Sequence, residues 1–448
     1  MKPAASTGRL RQTVEVVMKR ILLVLCAMTL LGGFISAAPV SAEAAPYRPG
    51  NTVTFNNPRG SKAKQLTIIT EINRSIDAAP RRSTIHMAQY LFDINSVADK
   101  LIRAHRRGVN VKVLIDDGEQ NKQAKRVKKV LGTNKRARSF VATCKRGCMS
   151  DVASVMHAKF YLFSRVGTAN RVSMISSANP YSGNTYTSWN NNHTIVGDVA
   201  IYNSLVKYFN DMILDRTNRN YYRETTSGKY KLHLYPRGPR RGVQIVLPLD
   251  VLNRVSCSGV GRGYGSKGRT IIRIAMWGWT YGRLDVAKKV WDLHNRGCKV
   301  EVILNKGRTN PRVIAALLKK SKRGRMAVYD AWKDKNKNGK PEVYMHHKLL
   351  AINGRAYGNG RTKMVYTGSA NYSAPATLTN NDIVLRIKDN RTYSAYARNL
   401  DYIRKKHTKK ITSVPSSSRS LSILTADGRV VQQQSRNTED EFDAVLDR

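Results

Sequence analysis

The sequence predicts an α/β fold in two pseudo-symmetric lobes, and three observations support this fold class. The 448 residues exceed the usual size of one domain and fit two lobes of roughly 150–200 residues each. Hydrophobic residues make up 41% of the chain, which is enough to give each lobe a packed core. A strand–helix–strand pattern occurs twice, and such a unit forms parallel strands joined by a right-handed crossover.

The two copies of this pattern contain the same elements in the same order. In each copy, a run of β-branched and apolar residues precedes a helical repeat that ends at a glycine, and a second strand follows. The two glycines, Gly108 and Gly297, are 189 residues apart, and the same offset relates Asp116 to Asn305. The segments are 82–90, 97–108 and 109–115 in the first copy and 269–277, 286–297 and 298–304 in the second.

The repeat also sets the expected domain boundaries. We expect an N-terminal lobe over residues 47–225 and a C-terminal lobe over residues 240–411. Residues 230–241 contain proline and arginine–glycine elements and are interpreted as the connector. Residues 412–448, with a serine-rich stretch and an acidic end, are typical of a mobile tail.

Residues 1–42 have the three parts of a secretory signal peptide. They contain a basic start, an apolar run over residues 21–35 and a small-residue cleavage site that ends at Ala42. The apolar run is short for a membrane-spanning helix, so an uncleaved anchor is the less favoured alternative. The sequence therefore predicts a protein that is secreted to the extracellular space.

Four cysteines follow the leader, and an even number in an exported chain indicates two disulfides. Of the three possible pairings, we favour one disulfide within each half, Cys144–Cys148 and Cys257–Cys298. Zinc binding is the rival interpretation, but Cys144 and Cys148 have neither a matching second pair nor a nearby set of histidine ligands. We therefore expect no metal site.

The charge of the chain is strongly positive. Lysine and arginine number 78 against 30 aspartates and glutamates, which gives a formal net charge of +48. An excess of this size draws in anions, and it fits nucleic acid, anionic lipid surfaces or polyanionic wall polymers. Charge alone does not choose among these partners.

Each copy of the repeat also contains a strand that begins with His-x-Lys. Residues two apart on a strand face the same side, so the histidine and lysine of each copy project together. A second β-run follows and ends in Ser-x-Asn. One such motif is weak evidence in a lysine-rich chain, whereas two at the repeat offset are strong evidence. The motif residues are His157, Lys159, Ser177 and Asn179 in the first copy and His346, Lys348, Ser369 and Asn371 in the second.

These side chains fit the chemistry of a phosphodiester. The two lysines are assigned a catalytic role, because with the serine and asparagine donors as substrate-binding groups they can neutralise the nonbridging oxygens without a metal ion. One imidazole can attack phosphorus to form a phosphohistidine. The second imidazole can protonate the leaving oxygen and then activate water, so the two copies are expected to share one active site.

The paired motifs resemble those of the phospholipase D superfamily, in its two-copy, single-chain, secreted bacterial form. The resemblance covers roughly residues 65–390. It implies two packed α/β/α sandwich lobes with the active site at their interface, catalysis without metal or cofactor, and a monomer with an internal pseudo-twofold axis. The family motif continues to an aspartate, and this sequence has Ser164 and Asn353 at those two positions. The glycine before Ser-x-Asn is kept as Gly368 and replaced by Ser176 in the first copy.

The resemblance further implies an acidic residue that orients the catalytic imidazole. Asp382 fits this description in the second copy, whereas the corresponding stretch 191–193 of the first copy has no carboxylate. A carboxylate on one imidazole nitrogen raises basicity and fixes the tautomer, which favours His346 as the nucleophile. Family precedent gives this role to the first-copy histidine, His157, and both assignments stay open at this point.

Three functions compete on this evidence. Export and the resemblance favour hydrolysis of a phospholipid headgroup ester during transient contact with a membrane surface. The positive charge favours a nuclease that acts on nucleic acid. The replaced motif aspartates, at Ser164 and Asn353, fit a non-catalytic binder of polyanions, although simple binding does not require two intact His-x-Lys pairs.

Overall fold

The structure is a computed structural model, and it describes residues 47–119, 121–145, 147–150, 152, 154–238, 247–336, 338, 340–415, 421–424 and 430–433. The predicted signal peptide, residues 1–42, lies outside the described residues, as does most of the predicted tail, residues 412–448. Within the described ranges, no helix is both long enough and apolar enough to cross a membrane.

The first lobe is an α/β/α sandwich. Its elements are β1 (Thr52–Phe55), α1 (Lys62–Gln65), α2 (Thr67–Asp77), β2 (Thr84–Gln89), α3 (Asn95–Arg106), β3 (Asn110–Asp116), α4 (Lys122–Leu131), β4 (Phe140–Cys144), β5 (Phe160–Val166), β6 (Ala169–Ser176), α5 (Ser182–Tyr186), β7 (Ser188–Trp189), β8 (Asn191–Val196) and α6 (Val199–Met212). The sheet has the order β1-β8-β6-β5-β2-β3-β4, in which β2, β3 and β4 run parallel. Helices α2, α3 and α4 pack on one face of the sheet and α6 packs on the other.

The second lobe repeats this architecture. Its elements are β9 (Arg223–Ser227), β10 (Tyr230–Leu234), α7 (Leu247–Asn253), β11 (Val255–Ser256), β12 (Ile271–Met276), α8 (Leu284–Asn295), β13 (Lys299–Leu304), α9 (Pro311–Leu318), β14 (Ala327–Asp330), β15 (Tyr344–Met345), β16 (Lys348–Ala356), β17 (Asn359–Gly368), α10 (Pro375–Leu378), β18 (Ile383–Ile387), α11 (Asn390–His407) and β19 (Lys409–Lys410). The sheet order is β19-β14-β13-β12-β16-β17-β18-β10-β9, and β11 pairs with β16. A separate hairpin of β20 (Leu421–Leu424) and β21 (Val430–Gln433) follows.

The predicted fold class is confirmed, and the repeated units fall on β2–α3–β3 and β12–α8–β13. Each helix forms because its apolar positions recur on one face, which places Val97 and Val286 in the fully buried core. Gly108 and Gly297 adopt φ angles of 84° and 98°, the left-handed conformation that ends each helix. The chain then turns into the parallel strand whose carboxyl end supports the candidate site.

The segment interpreted as a connector differs from expectation, because residues 230–234 form strand β10 of the second sheet. This strand pairs antiparallel with β9 on one side and with β18 on the other. Leu232 and Leu234 are buried in a core that also contains Phe160 of the first lobe and Ile383 of the second. The alternating apolar pattern of the segment explains this, since every second residue faces that shared core. One hydrophobic core therefore joins the two lobes.

Both predicted disulfides are present. Cys144–Cys148 closes the loop after β4, and Cys257–Cys298 links the end of β11 to the start of β13. Each disulfide therefore lies within one half of the chain, as expected from the pairing favoured above.

Candidate active site

The two His-x-Lys pairs are held in the same way. In the first lobe, a carboxylate oxygen of Asp116, at the end of β3, accepts a hydrogen bond from the backbone N–H of Met156 at 2.7 Å. In the second lobe, Asn305 follows β13 and accepts from the backbone N–H of Met345 at 2.9 Å. Each bond fixes the chain one residue before a histidine. The repeat offset of 189 residues thus reflects a shared way of positioning the two imidazoles.

All four motif side chains are almost completely buried, with exposed fractions of 5% for His157, 0% for Lys159, 6% for His346 and 4% for Lys348. Lys159 donates from Nζ to the backbone oxygen of His157, and Lys348 donates to that of His346 at 3.1 Å. Buried ammonium groups are costly unless they have polar partners or an anion nearby. The arrangement is therefore suited to an anionic group between the two lysines.

Each imidazole is oriented by a residue of the opposite lobe. His157 Nδ1 lies 3.0 Å from a carboxylate oxygen of Asp382, and His346 Nδ1 lies 2.9 Å from the amide oxygen of Asn190. The expected pairing of Asp382 with His346 is therefore wrong. The reason is the pseudo-twofold arrangement, in which the strand after each Ser-x-Asn faces the histidine of the other copy. The carboxylate belongs to His157.

Asn190 is a site residue that the sequence analysis missed. Ser177 donates to its amide oxygen at 2.9 Å, just as Ser369 donates to the carboxylate of Asp382. The two serines are 192 residues apart, and the same offset relates Asn190 to Asp382. Counting from the Ser-x-Asn motif would have identified Asn190 instead of the stretch 191–193.

Backbone hydrogen bonds join the lobes beside the two histidines. The N–H of His346 donates to the oxygen of Trp189 at 3.0 Å, next to the parallel pairing of β15 with β7. The N–H of Asn381 donates to the oxygen of Val155 at 3.1 Å. Both bonds lie within two residues of a motif histidine. They fix the relative position of the two halves of the site.

The electrostatics of His346 show that the two pairs are close. Burial is the main cause that holds the pKa of His346 well below its ordinary value of 6.5. The charges of Lys348, Lys159 and His157 lower that pKa further. The cross-lobe contacts of His157 with Asp382 and of His346 with Asn190 hold both pairs at the same interface. The two halves therefore form one site.

These contacts also assign the tautomers. Lys348 Nζ lies 3.1 Å from His346 Nε2, so the neutral ring accepts there and carries its proton on Nδ1, toward the Asn190 oxygen. In His157 the Nδ1–H donates a hydrogen bond to the carboxylate of Asp382, so the lone pair of the neutral ring is on Nε2. Each ring thus presents Nε2 as its reactive nitrogen.

The sequence matches the family model described as cardiolipin synthase, PLD-like domain, over residues 72–213 and 266–404. The chain belongs to the phospholipase D superfamily. Each matched range contains one His-x-Lys pair with its Ser-x-Asn, so the match includes both halves of the phospholipase D-like site. Members of this superfamily act on phosphodiester bonds.

Solved structures with similar folds are more distant in sequence. Phosphatidylserine synthase from Haemophilus influenzae Rd KW20 is 16% identical, with a TM-score of 0.52 over 82% of this chain and 89% of that chain. Polyphosphate kinase from Porphyromonas gingivalis is 13% identical, with a TM-score of 0.46 over 79% of this chain, which spans only 49% of that structure. Nuc, a phospholipase D family member from Salmonella typhimurium, is 18% identical, with a TM-score of 0.28 over 36% of this chain and 93% of that chain. No curated protein matches this sequence.

The two residues that stand at the aspartate positions of the phospholipase D motif, Ser164 and Asn353, each accept a backbone hydrogen bond. The Ser164 hydroxyl accepts from the backbone N–H of Thr84 at 2.8 Å, at the start of β2. The Asn353 amide oxygen accepts from the backbone N–H of Gly265 at 2.9 Å. Both residues tie the far part of the strand that follows a His-x-Lys pair to a neighbouring segment.

The predicted substrate-binding residues divide into two groups. Ser177 and Ser369 hold the groups that orient the imidazoles, as described above. Asn179 accepts from the backbone N–H of Leu91 at 3.2 Å and donates to Asn184, and Asn371 lines a cavity together with Lys348. The serines are therefore positioning residues in this phospholipase D-like site.

Aromatic rings flank both imidazoles, but the two sides differ. The ring of Tyr90 lies 5.5 Å from that of His157, and Trp277 lies 5.3 Å from His346, measured between ring centroids. Tyr90 packs in a small apolar cluster with Leu91 and Val155. Trp277 instead belongs to a larger group of aromatic side chains. The cleft of this phospholipase D-like protein is consequently asymmetric.

Proposed function

We propose that this chain is a phosphodiester hydrolase that works through a phosphohistidine on His157, without a metal ion. The observation that carries the proposal is the asymmetric pair of imidazoles, of which one contacts the buried carboxylate of Asp382 and the other the neutral amide of Asn190. Asp382 is completely buried, so its charge acts on the imidazole with little screening by water.

In the first step, the lone pair on His157 Nε2 attacks phosphorus, and the bond between phosphorus and the leaving oxygen breaks. The imidazole becomes positively charged as it forms the new bond, and the Asp382 carboxylate stabilises that charge. Lys159 and Lys348 stabilise the negative charge on the nonbridging oxygens. An amide cannot replace the carboxylate in this role, which favours His157 over His346 as the nucleophile.

His346 acts as the acid and then as the base. The bound phosphate offsets the positive charge of the two lysines, which raises the pKa of His346 and allows its Nε2 to carry a proton. That proton passes to the leaving oxygen. Neutral His346 then takes a proton from water, whose oxygen attacks phosphorus, and the electron pair of the P–N bond returns to His157.

Two substrate classes fit this reaction. A phospholipid headgroup ester, reached by transient contact with a membrane surface, is supported by the match to the cardiolipin synthase family model and by the similarity in fold to phosphatidylserine synthase. Nucleic acid is supported by the net charge of +48 and by the aromatic surface beside His346. A non-catalytic binder of polyanions would not need four buried motif side chains arranged around one position.

We further propose that the protein is exported and acts as a monomer with an internal pseudo-twofold axis. The predicted leader supports export, and so do the disulfides Cys144–Cys148 and Cys257–Cys298, since disulfides persist in oxidising compartments. Mass spectrometry of protein from culture medium should find a chain that begins close to residue 43. Its mass in solution should be that of one chain. An intact N-terminus or a stable dimer would contradict these two points.

Trapping the covalent intermediate tests the proposed reaction. With bis(4-nitrophenyl) phosphate in the presence of EDTA, the leaving group departs without an acid, so His346→Ala should release one equivalent of nitrophenolate and then stall. Peptide mapping should find the phosphoryl adduct on His157. His157→Ala should give neither burst nor adduct. An adduct on His346 in the His157→Ala variant would reverse the assignment, and no adduct in any form would refute the mechanism.

A further inference from the structure

Three partly exposed aromatic rings adjoin His346, and the proposed reaction does not use them. The ring of Tyr344 lies 6.1 Å from the imidazole and 4.8 Å from the ring of Trp277. Trp332 lies 6.2 Å from both of these rings, and its plane is inclined by 28° to that of Trp277. Trp277, Trp332 and Tyr344 together are called the aromatic platform. Two of its rings, those of Trp277 and Tyr344, lie beside the imidazole of His346.

The buried side chain of Arg308 packs against two rings of the aromatic platform. Arg308 is only 4% exposed, and its guanidinium carbon lies 5.4 Å from the ring of Trp277 and 5.7 Å from that of Trp332. Trp332 also packs tightly on Gly307, where a Cβ would lie 3.1 Å from the indole. The rings are therefore fixed in place, with a positive charge already against their faces.

This charge decides which ligand the platform suits. A cation that already lies against an aromatic cluster repels a second cation, so the charge of Arg308 weakens the attraction of the platform for a choline-type headgroup. A planar, uncharged base is not repelled, and base–aromatic stacking tolerates any sequence because every base has a π-face. The composition of the platform therefore favours a nucleobase.

A group of positive side chains is linked to the platform through Lys333, the residue that follows Trp332. Lys409 of β19 is paired with Asp330 of β14, two residues before Trp332, and Lys333 is paired with Val343, next to Tyr344. Burial lowers the pKa of Lys333, and the charges of Arg59, Lys335 and Lys409 lower it further. Mutual repulsion of this kind is relieved by an anion. Phosphates of a nucleic acid backbone are bound in this way, with release of counterions.

We propose that this surface binds a single-stranded nucleic acid, with a base stacked on the aromatic platform and neighbouring phosphates at Lys333 and the cations around it. The direction of the strand rests on the proposed function. When His157 attacks phosphorus, the leaving oxygen departs on the opposite side, next to His346. The nucleoside on the platform is then the leaving group.

Binding by the inactive His157→Ala chain tests this proposal separately from catalysis. The probes are a fluorescein-labelled thymidine dodecamer, an abasic dodecamer of the same length and charge, and vesicles of phosphatidylglycerol. Fluorescence anisotropy should show the thymidine strand binding at least about tenfold more tightly than the abasic strand, because stacking contributes to the former alone. Equal affinity for the two strands would overturn the proposal, whatever the catalytic experiments show.

Two further variants of the inactive chain locate the effect. Trp332→Leu should remove the preference for bases, whereas Trp291→Leu should keep it, because Trp291 lies on α8 and its indole N–H donates to the backbone oxygen of Lys319. Thermal unfolding checks that both variants fold. If Trp332→Leu weakens vesicle binding and leaves both strands unaffected, the surface faces lipid and the proposal fails. If Trp332→Leu does not fold, the difference in affinity between the thymidine and abasic dodecamers, measured with the His157→Ala chain, still tests the proposal.

Discussion

The carboxylate of Asp382 should control the rate of the first chemical step, and Asp382→Asn tests this directly. The substitution keeps the size of the side chain and an oxygen that can accept from His157 and Ser369, which is the arrangement that Asn190 already provides for His346. What it removes is one buried negative charge beside the imidazole that becomes positive. At an effective dielectric constant of about 20 and a separation of about 5 Å between charge centres, that charge contributes about 3 kcal/mol.

A loss of about 3 kcal/mol in transition-state stabilisation corresponds to a decrease of about 100-fold in kcat/KM. Burst kinetics with bis(4-nitrophenyl) phosphate would measure it as a slower burst of the same amplitude. Asp389→Asn is the matched control, since residue 389 caps α11 and asparagine caps a helix equally well. An Asp382→Asn enzyme whose burst rate stays within about threefold of the parent would refute the electrostatic reasoning.

Three further predictions follow from the surroundings of the second imidazole and from the longer disulfide loop. The pKa of His346 is well below 6.5 in the free protein and should rise when phosphate binds, so the alkaline limb of the kcat/KM profile, for a substrate whose leaving group needs an acid, should lie at lower pH than that of the single-turnover rate at saturating substrate; coincident limbs would contradict this. Asn190→Asp places a carboxylate on the same ring, so it should move the kcat/KM limb to higher pH, and an unchanged limb would show that residue 190 does not act on His346. The Cys257–Cys298 disulfide joins residues 41 positions apart and so lowers the entropy of the unfolded chain. Replacing both cysteines by serine should therefore lower the free energy of unfolding, measured by urea titration, by about 4 kcal/mol. A loss below about 1 kcal/mol would argue against this entropic account.

The sequence was sufficient to predict the repeat, the fold class and the four motif side chains. The constant offset between Gly108 and Gly297 and between Asp116 and Asn305 revealed two equivalent units, because each glycine ends a helix and each polar residue ends a strand. The expectation that each His-x-Lys lies on a strand is met only approximately, since β5 begins at Phe160 and β16 at Lys348, just after the two histidines. These features depend on local backbone geometry, which can be predicted from residues that are close in sequence.

Contacts between the lobes could not be predicted in the same way. A repeated motif does not state which copy of the acidic position faces which histidine, so Asp382 was attached to the imidazole of its own lobe. The exchange depends on the packing of the shared core and on the cross-lobe bonds of His346 and Asn381, which are long-range contacts. The same limit applies to residues 230–234, whose partner strand β18 lies about 150 positions further along the chain.

The aromatic platform was missed for a similar reason. Trp277 follows β12 and Trp332 follows β14, and their sequence neighbours give no sign that the two rings meet or that Trp277 contacts His346. Their shared contact with Arg308 exists only in the folded chain. Tryptophans in such positions resemble ordinary core residues when the sequence alone is considered.

Binding of a phosphate mimic gives the most direct test of the shared site. A crystal structure of the chain with tungstate should contain one anion in contact with the Nε2 atoms of residues 157 and 346 and with both motif ammonium groups. Two anions in separate positions, each held by a single lobe, would contradict a common catalytic centre.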